Sequence, residues 1–269
     1  MATTGPTQKP KPTNLIQTIE RVALILDALA KPSKGLALGE LAAKVSLPKG
    51  TTHRILSSLM YFDFVRQDQE SRKYSLGFKL VELGSSLLEQ INLRKEAEPF
   101  LHTLSEKINE TVYLAVLDGI EVVYIEKIEA YDDSIGLRAT SKVGQRNAAN
   151  SCSLGKALLA NIPEQVLDNL IPDMPFIRKT ENTITDPVQL KEHLQGIRVR
   201  GYAIDDEESE RGIRCIAVPV RNEVGAVVAA MSVSGPAIRI TRERVQRELK
   251  DEVMQTALSL SRKLGYRGN

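Results

Sequence analysis

The chain has no tryptophan, few aromatic residues and only two cysteines, Cys152 and Cys215, in 269 residues. Two cysteines cannot build a disulfide framework, so the fold must rest on apolar cores. The three histidines, His53, His102 and His193, lie far apart, and no metal-ligand spacing connects them. No apolar run is long enough to span a bilayer, and the polar N-terminus lacks a signal-peptide core. The chain therefore reads as soluble and cytoplasmic, with no membrane partner. Neither sign of charge dominates, with 36 Lys/Arg against 34 Asp/Glu. Bulk coating of a polyanion is thereby excluded. The balance is uneven along the chain, however. Residues 1–92 hold 12 Lys/Arg against 8 Asp/Glu, and the remainder is slightly acidic. A basic first third suits a partner whose charge is met locally, such as duplex DNA.

The length allows about two ordinary domains. Residues 1–13, with their prolines, lysines and threonines, read as a disordered arm. Leu15 to Ala30 has the spacing of an amphipathic helix, with Ile16, Ile19, Val22, Ala23 and Leu26 expected on the core face and Arg21 exposed. Leu38, Leu41, Ala42 and Val45 then form one stripe on a short helix. After a break at Ser46-Leu47, Pro48 suits the first position of a second helix. Its buried stripe is Thr52, Ile55, Leu56 and Leu59, and its open face carries Lys49, Gly50, Thr51, His53, Arg54, Ser57 and Ser58. Two short helices with small polar and basic groups on the free face of the second make a helix-turn-helix.

The chemistry fits close approach to a major groove. Lys49 and Arg54 can meet phosphates or guanine edges, and Thr51, His53 and Ser57 can meet base edges or backbone oxygens. Gly50 and Thr52 belong to the same run and complete the expected DNA-facing set, with Thr52 counted also in the buried stripe. Phe64 to Gln67 and Lys73 to Leu76 alternate like strands around a polar turn, a wing whose Arg72 and Lys73 can reach the backbone. Asp68 and Glu70 at the same tip repel phosphates, so only part of the wing can touch DNA. Arg21 joins the expected DNA-facing residues from the first helix. Residues 14–77 thus read as a winged helix-turn-helix domain.

Residues 78–92 carry Phe78, Leu80, Val81, Leu83, Leu87, Leu88 and Ile91 at helical spacing, a stripe that is either core for one domain or, the favoured reading, a linker helix that packs against a second copy. Helix-turn-helix proteins usually read palindromic operators as two-fold dimers. From residue 93 the pattern changes to α+β: a helix over 96–109, strands over 111–117 and 121–129 around Asp118-Gly119, and a further strand over 135–139. Helices follow near 154–161, 163–170 and, opened by Asp186-Pro187, 187–200. Strands over 202–205, 213–220 and 227–233 and a long helix over 241–264 complete an antiparallel sheet flanked by helices.

Enzymatic readings find little support. Gly155-Lys156 lacks the first glycine and the Ser/Thr of a phosphate-binding loop. Cys152 and Cys215 sit in apolar or neutral runs with no histidine nearby in sequence, as small buried thiols do. Asp205-Asp206-Glu207-Glu208 reads as a solvated acidic turn with one inward carboxylate. No catalytic set, metal or cofactor is expected. The competing class is a metabolite-binding protein or enzyme of small organic acids that uses its winged helix for protein contacts.

Four stretches resemble the IclR family of bacterial transcription regulators. They are Leu47 to Leu56 in the second short helix, Leu154 to Ala160, Arg200 to Glu208 running on from Gly212 to Val220, and Ser232 to Pro236. The likeness covers nearly the whole chain from about residue 14. It implies a winged helix-turn-helix, a GAF-like C-terminal effector domain over 93–269, a homodimer or homotetramer, and a small carboxylate as effector. By that resemblance the effector pocket includes Leu137, Ala139, Ser153, Leu154, Asp205, Cys215, Ser232 and Ser234. Backbone N–H groups near Leu154 would hold the anion and the serine hydroxyls would add directional bonds. Asp205 would accept a hydrogen bond from an effector hydroxyl. The resemblance departs at Gly50, where members often carry serine, and at Asp63, where many have glycine before the wing. Residues 64–83, 121–127 and 212–220 look especially like the branch that regulates pectin and sugar-acid breakdown and senses 2-keto-3-deoxygluconate. The expected function is an effector-responsive repressor of a catabolic operon.

Overall fold

A computed structural model describes residues 14–30, 35–90, 92–130 and 141–268. The arm at 1–13 and the strand expected over 135–139, with Leu137 and Ala139, lie outside the described residues. The chain forms two compact units, residues 1–90 and 91–269.

In the first unit α1 (Gln17–Ala30), α2 (Leu38–Lys44) and α3 (Lys49–Tyr61) precede the hairpin of β1 (Val65–Gln67) and β2 (Tyr74–Leu76), and α4 (Lys79–Gln90) follows. Ile25, Leu29, Leu41, Val45, Leu56, Leu59, Val65 and Tyr74 form the core, so every one of the first five elements gives it an apolar stripe. The phase expected for α1 is corrected here. Ile25 and Leu29 are buried with Val22 and Leu26 packed beside them, whereas Ile16 and Ile19 stand 65% and 59% exposed and Ala23 is also exposed. Both faces of α1 carry apolar residues, and periodicity alone cannot choose between them. Arg21, expected exposed, is half-buried. Pro48 caps α3 rather than opening its first turn.

The wing pairs Val65 with Leu76 and Gln67 with Tyr74, and Leu36 adds a bridge to Tyr74 on its outer edge. Asp63 enters the wing at φ +58°, a left-handed conformation that aspartate tolerates better than most residues. Gly77 lies against it. A Cβ on Gly77 would sit 2.0 Å from the Asp63 carbonyl oxygen, so only glycine lets the two chain segments meet. Phe78, just before α4, and Val81 and Leu83 on it are exposed, and the side chains of Leu87, Leu88 and Ile91 lie outside the described residues.

The second unit begins with α5 (Asn92–Ile108), β3 (Thr111–Asp118) and β4 (Glu121–Ile128). A three-residue strand β5 (Arg146–Ala148) and a 3-10 turn at Ala149–Ser151 lead into α6 (Ser153–Leu159) and α7 (Glu164–Leu170). Then come α8 (Pro187–Arg200), β6 (Ala203–Asp206), β7 (Ile213–Arg221) and β8 (Val227–Pro236). Asp186 caps α8 through the Gln189 N–H at 2.8 Å, and Gly201 ends it at φ +82°. The final segment is less regular than the single helix expected. It runs as α9 (Arg242–Arg244), a π-helical turn at Val245–Leu249, and α10 (Lys250–Lys263).

The six strands are antiparallel in the order β5-β4-β3-β8-β7-β6, and helices cover both faces, which makes an α+β domain. Period-two alternation sorts the side chains. Val112, Leu114, Ile216 and Val233 are buried on the face that α5 and α10 cover. Tyr113, Ala115, Val122, Tyr124, Ala203, Ala217 and Ala230 face α6 and α8. The alanines leave room for α6 to lie close. Gly155 deepens that approach, since a Cβ there would meet the Ala149 backbone at 2.2 Å. The start of α6 is thereby held against the mouth of the sheet.

Candidate functional site

The first unit offers a polar surface on α3. Lys49, Gly50, His53, Arg54 and Ser57 are exposed along it, and Thr51 is partly so. Thr52 is different. It is fully buried with its hydroxyl donating to the Pro48 carbonyl at 3.1 Å, which removes it from the expected DNA-facing set and gives it a helix-start role. Ser57 donates to the His53 carbonyl at 3.0 Å, which leaves its oxygen facing outward as an acceptor, suited to an amino group on a base edge. At the wing, Arg72 is exposed at φ +56° while Lys73 is half-buried. Asp68 is exposed on the tip and accepts the Ser71 N–H at 2.8 Å and its hydroxyl at 2.7 Å. Its charge is therefore partly satisfied before any phosphate approaches.

The second unit holds a partly open cavity of about 190 Å³, lined from β3, β4, β6, β7 and β8 and the start of α6. Strand register builds its floor. Asp205 pairs with Cys215, and Cys215 with Ser234, so the three stand side by side across β6, β7 and β8. Two residues along, Ser232 stands beside Tyr113 of β3. Ser153 and Leu154 close one side from the start of α6, next to Cys152, whose sulfur caps the helix through the Gly155 N–H. The structure thus brings together six residues expected in an effector pocket: Ser153, Leu154, Asp205, Cys215, Ser232 and Ser234. Leu137 and Ala139 lie outside the described residues.

Several lining residues carry no signal in a linear reading. Tyr113 and Tyr124 meet edge to face at 5.2 Å between ring centres and present hydroxyls to the cavity. Period-two alternation in β3 and β4 places both on the α6 face and was a usable clue. Gln145, Arg146 and Asn147 come from β5 and the turn before it, and Lys179 comes from a loop without regular structure. No pattern marks those four.

The thiols are held protonated by burial. Burial pushes the Cys152 thiol up to about 12 and holds Cys215 well above its ordinary value, so both keep their protons at neutral pH. Cys215 and Ser234 lie 3.0 Å apart, and either group can donate. Burial likewise raises the Asp205 carboxyl, against the pull of Lys156.

The acidic turn is not solvated as expected. Each of its four carboxylates is engaged by another group of the unit. Asp205 accepts the N–H groups of Glu208 and Ser209 at 2.7 and 3.2 Å, and the Ser209 hydroxyl on its other oxygen. Asp206 is bound by Arg214 and Arg242, at 2.6 and 2.7 Å. Glu207 accepts the Gly212 N–H at 2.9 Å and reaches Arg214. Glu208 meets Lys156, which is fully buried and also donates to the Ile204 carbonyl at 2.7 Å. Glu207 itself sits at φ +61°, so the turn holds a conformation that these bonds fix. The Asp205 carboxylate is therefore a brace of the cavity wall, with both oxygens already accepting from the turn.

Comparison with known proteins gives the family of both units. A family model described as the bacterial transcriptional regulator IclR C-terminal domain matches residues 85–262, and one for the IclR helix-turn-helix domain matches residues 18–69. The chain is 35% identical over 252 residues to the HTH-type transcriptional regulator XynR of Escherichia coli K12, covering 94% of this chain and 98% of that protein. It is 36% identical to the transcriptional regulator KdgR of the same organism, covering 93% and 94% of the two chains. Among solved structures, the IclR protein of Thermotoga maritima superposes with a TM-score of 0.78 at 35% identity, over 93% of this chain and 99% of that one. A reading helix with a wing, a partly open polar cavity on a six-stranded sheet, and relatives of matching length all meet in one assignment: the chain belongs to the IclR family of effector-responsive, DNA-binding transcription regulators.

Proposed function

We propose that this regulator is a repressor of a catabolic operon, released or engaged by a small carboxylate such as a sugar acid or a 2-oxo acid. The observation that carries the reading is the partly open cavity at Asp205, Cys215 and Ser234, whose lining is mostly polar and rich in hydroxyl groups. Hydroxyls of Ser153, Ser232, Ser234 and Tyr124 and two protonated thiols suit a ligand rich in oxygen acceptors. Repression is supported by two similar proteins, named the transcriptional repressor IclR of Escherichia coli K12 and the acetate operon repressor of Salmonella typhimurium, at 35% and 34% identity.

The working division is a DNA-reading domain over 14–77, a linker helix over 78–92 and an effector domain over 93–269. The DNA contacts are assigned to Lys49, Gly50, Thr51, His53, Arg54 and Ser57 on α3, with Arg72, Lys73 and Arg21 reaching the backbone. Exposed Ile16 and Ile19 at the start of α1 and exposed Phe78 and Val81 at the start of α4 are apolar groups that a second copy would cover, giving a homodimer or homotetramer on a palindromic operator. Such a protein acts in the cytoplasm, where the operator is. Effector binding changes operator affinity only through its differential affinity for two arrangements of the dimer.

A thermal-shift screen of sugar acids, 2-oxo acids and aromatic acids tests the effector, because a ligand at a hundred times its Kd stabilises the folded state by about 2.7 kcal/mol. A gel shift on the chain's own upstream region, with and without the hit, tests repression. A screen without any stabilising acid overturns the carboxylate reading, and an upstream region whose shift the hit leaves unchanged overturns effector-controlled repression there.

A further inference from the structure

We propose that Lys179 supplies the positive charge that meets the effector's carboxylate, and that the loop around it sets the preference for anionic over neutral ligands. This rests on the reading of the cavity as an effector site and names the residue that reads the charge. Three cations lie at or beneath the cavity, and their partners separate them. Lys156 is fully buried and neutralised by Glu208. Arg146 is at the rim, but its guanidinium already bonds Asp118 and Glu121. Lys179 lines the cavity, and its ammonium donates at 2.7 Å to a neutral group, the side-chain oxygen of Asn147. Among the described residues it has no carboxylate partner. Its charge also reaches the cavity floor, where it acts to lower the pKa of the buried Cys152 thiol.

The loop that carries Lys179 is held in place. Thr183 Oγ1 accepts the N–H groups of Lys179 and Thr180, at 3.1 and 2.9 Å. Thr183 in turn donates to the Glu208 carbonyl at 2.7 Å, and Thr180 donates to the Glu207 carbonyl at 2.6 Å. Both threonines are buried. These bonds clip the loop to the same acidic turn whose Asp205, Ser209 and Glu210 line the cavity. A long flexible side chain on a loose loop would lose most of its bonding free energy to ordering. Here the backbone is fixed in advance, and the ammonium has only its own rotamers to order. The Glu210 carboxylate in the same lining would otherwise repel an anion, so a cation without a carboxylate partner among the described residues tips the site toward acids.

The test uses the full-length protein with 2-keto-3-deoxygluconate and its neutral methyl ester as probes, in calorimetry at low and high salt. Lys179→Gln should weaken binding of the acid by roughly tenfold or more, the worth of one charge-assisted hydrogen bond. It should leave the ester's affinity unchanged and abolish the salt dependence of acid binding. Lys179→Arg should restore both. A Lys179→Gln protein that binds the acid as wild type does, with the same salt dependence, overturns the role of Lys179 and leaves the cavity reading standing. Wild-type protein that binds neither probe overturns the sugar-acid reading and this inference with it.

Discussion

The ammonium of Lys156 on α6 donates to the carboxylate of Glu208 in the acidic turn, and the pair is shut away from water, with 0% and 7% of the two side chains exposed. Two buried ions compensate each other only while both remain. Lys156→Met is therefore expected to destabilise the second unit by about 3–5 kcal/mol, because it strands a buried carboxylate. Adding Glu208→Leu should recover most of that loss. Urea unfolding of the two variants checks both signs, and a double variant no more stable than Lys156→Met would show that the pair is not what couples α6 to the turn.

On the DNA side, the structure separates two neighbours on α3. Arg54 is exposed and Thr52 is fully buried. Arg54→Ala or Lys49→Ala should leave the melting temperature within a degree or so and weaken operator binding, with a salt slope smaller by about one for each phosphate no longer neutralised. Thr52→Ala should do the reverse, lowering stability by about 1 kcal/mol through loss of the bond to Pro48 with little change in salt slope. Fluorescence titration across a salt series distinguishes them.

Asp205 is expected to matter for the wall more than for a ligand contact. Asp205→Ala leaves the N–H groups of Glu208 and Ser209 without their acceptor in a buried turn, a loss of about 2–3 kcal/mol. Ser209→Ala removes one of the three bonds and should cost about 1 kcal/mol. Comparison of the two by thermal unfolding checks the order. An Asp205→Ala protein as stable as wild type would return Asp205 to the role of a ligand acceptor.

The legible parts of the molecule are those with a repeating burial pattern. On α3 the alternation of apolar and polar residues leaves one choice of face, and the structure has Leu56 and Leu59 inside with His53 and Arg54 outside. On α1 two apolar faces compete, and the wrong one is the more regular in sequence. The strands of the second unit are likewise readable from alternation, and β5 is not, since Arg146-Asn147-Ala148 is three residues with no apolar signal. Lys179 is invisible for a different reason. Its place depends on Thr180 and Thr183 bonding carbonyls 25 or 27 residues away. Nothing local to the loop encodes that pairing. The π-helical turn at Val245–Leu249 falls in the same class, since one widened turn scarcely disturbs a helical periodicity.

His193 supplies a pH prediction for the second unit. It sits on α8 with its Nε2 buried and, among the described residues, without a hydrogen-bond partner. Burial, with the charges of Lys156 and Arg200 added, lowers its pKa to about 4, against 6.5 in an unfolded chain. The folded protein therefore refuses a proton that the unfolded chain accepts between those two values. Stability from this group is fully present above about pH 6.5 and is lost as the pH falls toward 4. His193→Gln removes the titrating group, so its melting temperature should fall less than that of wild type between about pH 7 and pH 4.5. Equal falls in the two proteins would mean that His193 takes up its proton without disturbing the packing of α8 against α6.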